Sequence, residues 1–278
     1  MSTYSIQSAS FGLALFAFGC SDGGGGKSAP SEVPWEENGA QAINADRTTS
    51  TVNSVAGEDC DVYEGSDRDI CTSIRDRCGE RAGDVVLDEE GKAIDSVCYP
   101  AAATVTVEEV EAQNGDIAQN QNDTVIALDD ADDGIDLEGN LDVDANNVVV
   151  YGAGPDVSVI SGDVTVDGNN TVIRGVRIQG NVEVLKNDAV FLFCVIEGNL
   201  TIPANNARLL ACDVYGDVIV TGNGTELVSD RIAGQLTNEG MGTSCESVVE
   251  FDDVDGDLHV TDDELGGAVS CGGKPPKK

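Results

Sequence analysis

Residues 162–233 read GDVTVDGNNTVIRGVRIQ, GNVEVLKNDAVFLFCVIE, GNLTIPANNARLLACDVY and GDVIVTGNGTELVSDRIA, four segments of 18 residues beginning at Gly162, Gly180, Gly198 and Gly216. A fifth start, GQLTN, follows 18 residues later at Gly234. A spacing held over successive intervals marks a repeat architecture. Working outward, GDIAQ at Gly115, GNLDV at Gly139 and GDLHV at Gly256 extend the series to about eight copies, with insertions of about four to six residues. Within a copy the third and fifth positions are apolar, as in Val164 and Val166, Val182 and Val184, Leu200 and Ile202, Val218 and Val220. That alternation is a strand. The twelfth position (Ile173, Phe191, Leu209, Leu227) and the seventeenth (Ile178, Ile196, Val214, Ile232) supply two more apolar columns. One copy cannot bury three apolar faces alone; stacking copies about 4.8 Å apart does, each strand pairing with its equivalent in the next coil. The predicted fold is all-β, a parallel β-solenoid of about 18 residues per coil.

The eighth position is Asn122, Asn146, Asn169, Asn187, Asn205 and Asn223. Asn accepts left-handed backbone geometry at a tight turn, and its amide both donates and accepts. The column is therefore predicted to be a ladder of buried turn amides joining coil to coil. A left-handed hexapeptide helix also has 18 residues per coil, but Arg208 and Glu226 fall where it requires an aliphatic residue, and Leu185, Phe191 and Glu197 where it requires a small one. The right-handed form fits better. The stretch NNVVVYGAGPDVSVISG, residues 146–162, resembles an early coil of the pectin-lyase-like right-handed β-helix superfamily. The resemblance covers roughly residues 104–271 and is to a fold more than to an enzyme family.

The chain carries 51 Asp and Glu against 15 Lys and Arg, a net charge of -36 over 278 residues. Such a field repels phosphate backbones and anionic headgroups, which excludes nucleic-acid partners and membrane binding through a basic patch. At the N-terminus, MSTYSIQSASFGLALFAFGC has an apolar stretch from Phe11 to Gly19, too short to span a bilayer and of signal-peptide type. Cys20, followed by SDGGGG, resembles the lipobox cysteine of bacterial lipoproteins. This implies a signal peptide over 1–20, lipidation at Cys20 and an exported protein of the bacterial outer membrane or cell surface, or otherwise of the periplasm or medium. Residues 21–57, rich in Gly, Ser, Pro, Asn and Glu, read as a flexible tether. Residues 58–100 form a cysteine-rich segment, residues 101–271 the β-helix, and residues 272–278 a basic tail.

Export places Cys60, Cys71, Cys78 and Cys98 in an oxidising compartment, so two disulfides are expected, with the pairing open. A zinc site is the competing reading, but the intervening gaps of ten, six and nineteen residues lack paired C-x2-C spacing. Cys194 and Cys212 share the fifteenth position of successive coils and are candidates for a disulfide or for two stacked thiols; Cys245 and Cys271 are candidates for a further bridge.

The solenoid's basic side chains are Arg174, Arg177, Lys186, Arg208 and Arg231. Arg177, Asp213 and Arg231 share the outward sixteenth position, where an ion pair is expected. His259 is the only histidine, so no Ser-His-Asp set is supported. Asp253, Asp255, Asp257 and Glu264, with the His259 carbonyl, have the spacing of a calcium loop, although Leu258 stands where the sharp turn wants Gly. The acidic run from Asp129 to Asp144 reads as a solvated loop, with weak calcium binding as the second reading. These features predict a cell-envelope lipoprotein with a non-catalytic scaffold for display or ligand binding, its membrane contact made through the lipid alone. The resemblance implies carbohydrate as ligand; the alternative is a small calcium-dependent polysaccharide lyase or esterase. Any one pair of carboxylates on so acidic a surface says little about catalysis.

Overall fold

A computed structural model describes residues 40–43, 49–52, 60–62, 65–78, 83–88, 92–99, 103–105, 117–119, 121–130, 133–134, 136–252, 260 and 265–272. The candidate lipid site at Cys20, the calcium candidates Asp253, Asp255, Asp257 and Glu264, and the basic tail beyond residue 272 lie outside them. Among the described residues no helix is long and apolar enough to cross a membrane.

The solenoid is parallel. Among the described residues its first sheet has seven strands, from Ile117–Gln119 through Leu141–Val143, Val164–Val166, Val182–Val184, Leu200–Ile202 and Val218–Val220 to Leu236–Asn238. A second sheet stacks strands such as Val172–Arg174, Val190–Leu192 and Arg208–Leu210, and a third stacks Arg177–Ile178, Val195–Ile196 and Asp213–Val214. Register is strict: Val164 pairs with Val182, Phe191 with Leu209, Val214 with Ile232. A regular run of about five coils starts at Gly162, and two longer coils precede it. The eighth copy, at Gly256, falls mostly outside the described residues. The third sheet ends instead on Leu265–Ala268, which turns antiparallel to Val249–Phe251.

The side chains at the third, fifth, twelfth and seventeenth positions of the regular coils fill one continuous interior. Corner glycines permit the stacking: a Cβ on Gly198 would lie 2.4 Å from the Gly180 carbonyl oxygen, and one on Gly222 only 1.6 Å from that of Ala204.

The Asn column lies at the surface, exposed or half-buried, and this corrects the expectation of buried amides. Along most of the column Oδ1 accepts the backbone N–H one coil on: Asn146 N–H donates to Asn122 at 2.9 Å, Asn169 to Asn146 at 2.9 Å, Asn205 to Asn187 and Asn223 to Asn205 at 3.0 Å. An edge amide reaches the next coil without being buried, which is why exposure costs the ladder nothing. Left-handed geometry belongs to the ninth position instead, at Asp123, Asn147, Asn170, Asp188 and Asn206, with φ from 56° to 62°. Short polar side chains tolerate that region. A second ladder, unread in the sequence, runs through the second position: Asn140, Asp163, Asn181, Asn199 and Asp217 each accept the N–H of the next member, ending at Gln235.

The acidic run does not form one loop. Asp129 and Asp130 pair antiparallel with Gly134 and Asp133, and Leu141–Val143 is a solenoid strand with Asp142 outward. Leu137, Leu141 and Val143 supply the apolar columns that draw this acidic stretch onto the stack.

The N-terminal module is a mixed sheet of β1 (Ala40–Ile43), β2 (Thr49–Val52), β3 (Gly83–Leu87) and β4 (Ala93–Cys98), in the order β2-β1-β3-β4, with helix α1 (Ser66–Cys78). Two of its strands come from the stretch expected to be a tether. Neither is apolar enough to stand out in sequence; β1 gains its place by parallel pairing with β3. Disulfides Cys60–Cys71 and Cys78–Cys98 staple the module, and Cys245–Cys271 closes the C-terminal end. Inside the solenoid Cys194 and Cys212 stay reduced and buried. Each sulfur turns to a carbonyl two residues back, Leu192 or Leu210, at 3.4 Å.

Candidate functional site

The outer face of the second sheet is where the module docks. Its central strands are buried on both faces: Val190, Phe191 and Leu192 are all buried, as are Leu209 and Leu210. The inward member of each triplet joins the solenoid core, and the outward ones pack with Val86, Val97 and Tyr99 of the module. Runs such as Ala189-Val190-Phe191-Leu192-Phe193 break the strand alternation, and that break is the signal of a strand covered on both sides.

At one end of this interface sits a buried ion pair. Arg174 Nε donates to Asp84 Oδ2 at 2.9 Å, with both side chains only 1 % exposed. Its Nη1 donates to the Gly152 carbonyl at 2.6 Å, and the guanidinium lies 4.4 Å over the Tyr151 ring. Tyr99 donates its hydroxyl to the same Asp84 oxygen and meets Tyr151 edge-on, ring centres 6.1 Å apart. Burial opposes the charge on Arg174, but Asp84 and the two tyrosines outweigh it and hold the guanidinium pKa above its ordinary value. Burial, followed by the Asp84 charge, pushes the Tyr99 phenol well above its usual range.

Beside this pair an open cleft of about 410 Å³ separates module from solenoid. The module contributes Arg77 from α1 and Ser96, Val97 and Cys98 from β4; the solenoid contributes Asn147, Asn170 and Asp188 from the left-handed corner, and Val172, Val190 and Arg208 from the second sheet. Asp95 ties the two walls together. One of its oxygens accepts from Arg77 and the other from Arg208, whose Nε also donates to Glu226 at 3.2 Å. The three corner residues repeat at the rise of the coils, so the wall is a column of amides and a carboxylate. Asn170 donates to Asn147 at 3.1 Å, and Asp188 accepts from Asn206 at 3.1 Å.

In the outward sixteenth column the charged side chains pair with one another or with near neighbours. Arg231 grips Asp213 with Nε and Nη2, each at 2.6 Å, and Val195 stands between Asp213 and Arg177 in the register. Arg177 turns to Glu197 at 3.4 Å and Lys186 to Asp167 at 2.6 Å. Every basic side chain of the described solenoid therefore has an acidic partner. Among the described residues no group of three or more His, Cys, Asp and Glu side chains is placed to hold a metal ion.

The sequence reading singled out Arg208 and Arg174 only as basic residues, and it missed Arg77, Asp95, Asp84 and Tyr99 as interface groups. No protein-family model, curated protein or solved structure matches this chain.

Proposed function

We propose that this protein is an exported surface protein, held by lipid on Cys20, whose pectin-lyase-like solenoid is a non-catalytic scaffold presenting a disulfide module and a ligand cleft at the cell envelope. The observation that carries the reading is the joint between the two parts. The module shares an apolar cluster with the second sheet and is tied to it by Asp84–Arg174 and Asp95–Arg208. A rigid spine with a fixed appendage suits presentation. The basic side chains of the described solenoid support the same reading, because each is engaged by a carboxylate that holds it in place.

The test has two arms. Cys20→Ala should convert the exported chain from membrane-associated to soluble; unchanged membrane association rejects the anchor. A depolymerisation screen on uronate polysaccharides, with and without calcium, should release no products; product release overturns the non-catalytic role and favours the lyase or esterase alternative.

A further inference from the structure

We propose that the cleft between module and solenoid is a binding site for a small zwitterion of the α-amino-acid class. This rests on reading the protein as a ligand-binding scaffold and names what its cleft takes. A volume of about 410 Å³ lies at the small end of ligand pockets and admits a small molecule such as an amino acid.

The lining carries both signs of charge. Arg77 and Arg208 supply guanidiniums, and Asp188 supplies a carboxylate. Asp95 takes one donor group from each arginine, and a guanidinium has five N–H donors in a fixed fork. Asp95 thus fixes the orientation of both forks and leaves donors for a ligand carboxylate. Arg77 is still 48 % exposed. Asp95 and Glu226 balance the two guanidiniums in charge, so what this end of the cleft offers a carboxylate is the directional N–H donors those two acids do not take.

Asp188 forms the other end. Val190, two residues after it, pairs in register with Arg208 in the next coil. Strand rise and strand spacing therefore put the Asp188 and Arg208 backbones about 8 Å apart. A molecule with a carboxylate beside an ammonium fits between two such poles. Val97, Val172 and Val190, the apolar members of the lining, offer contact for a small aliphatic side chain. Net charge argues the same way: a protein at -36 repels a simple anion over long range, whereas a zwitterion enters without that penalty.

The test is calorimetric titration of the full exported chain with L-valine, N-acetyl-L-valine (carboxylate only), L-valinamide (ammonium only) and maltose (uncharged). Valine should bind with a Kd on the order of 1 mM, and each charge-blocked analogue about tenfold or more weaker. Asp188→Asn keeps a residue that tolerates the left-handed corner, and should weaken valine and valinamide while leaving N-acetylvaline unchanged. Arg77→Gln should weaken valine and N-acetylvaline and spare valinamide. Absence of saturable valine binding, equal affinity for the blocked analogues, tighter binding of maltose, or affinities indifferent to both substitutions would each overturn the proposal. If a substitution prevents folding, the ligand series on the unmodified chain still decides. None of these results touches the anchor or depolymerisation tests, so the site can fail while the scaffold reading stands.

Discussion

Replacing Arg174 with Met tests whether the module and the solenoid are one cooperative unit. Met is close in length and packs against Tyr151, so the change removes chiefly the charge and its hydrogen bonds. Asp84, 1 % exposed, would keep the Tyr99 hydroxyl but lose the Arg174 guanidinium. Breaking a buried pair on one side costs about 3–5 kcal/mol, because the remaining charge is uncompensated. The lost bond to the Gly152 carbonyl and the stacking on Tyr151 fall within the same perturbation, so we expect about 4 kcal/mol in total. The assay is urea unfolding followed by far-UV circular dichroism, with Asp84→Asn and the double variant in parallel. The double variant, with neither charge of the pair, should be at least about 1 kcal/mol more stable than the sum of the two single effects implies. A loss below about 1 kcal/mol for Arg174→Met, the worth of an exposed ion pair, refutes the argument. So does strict additivity.

Three further outcomes are expected. Gly222→Ala would put a Cβ 1.6 Å from the Ala204 carbonyl oxygen, whereas at Gly242 the nearest atom is 4.0 Å away and only the left-handed φ of 72° resists; thermal melts should show the first substitution costing about 2 kcal/mol more than the second. Tyr99 stays protonated in the folded state above its ordinary pKa of 10.0, so the unfolded chain binds fewer protons there and stability must fall as pH rises. The decline should begin near pH 10 with a slope of about 1.4 kcal/mol per pH unit for this group, measured by urea midpoints at stepped pH; Tyr99→Phe should lose that component. Burial pushes the Cys212 thiol well above its usual range, and Cys194 is equally enclosed. Neither should react with a thiol reagent until urea unfolds the chain; rapid labelling of the native protein would show the core to be open.

Much of the solenoid was legible because stacking turns sequence period into space. An 18-residue interval places Val164 on Val182 and Ile178 on Ile196, and the apolar columns follow at once. The Asn column was legible as a ladder but not in its burial or backbone geometry. Asn187 and Asp188 are adjacent and chemically alike, and only the fold shows that the second takes the left-handed turn. The fourteenth position was illegible for a different reason: Phe193, Ala211 and Ser229 share a left-handed backbone with no residue type in common. Their N–H groups bond to Leu210, Val228 and Glu246 in the next coil at 2.8–3.0 Å, and those bonds hold the corner. Cys194 and Cys212 were placed correctly in one column, yet the choice between bond and thiols rested on where each sulfur turned.

By itself the sequence determined the repeat, its period, the inward columns and the acidic exterior, since each depends on contacts between equivalent positions one coil apart. Tertiary structure decided everything that joins unlike parts of the chain. Asp84 meets Arg174 across a separation of 90 residues, and Asp95 meets Arg208 across 113. No periodicity encodes such pairings; they exist because an apolar outer face on the second sheet had to be covered and the module covers it. The cleft is the space left where that cover stops, so its two arginines and its aspartate become neighbours only once the module has docked.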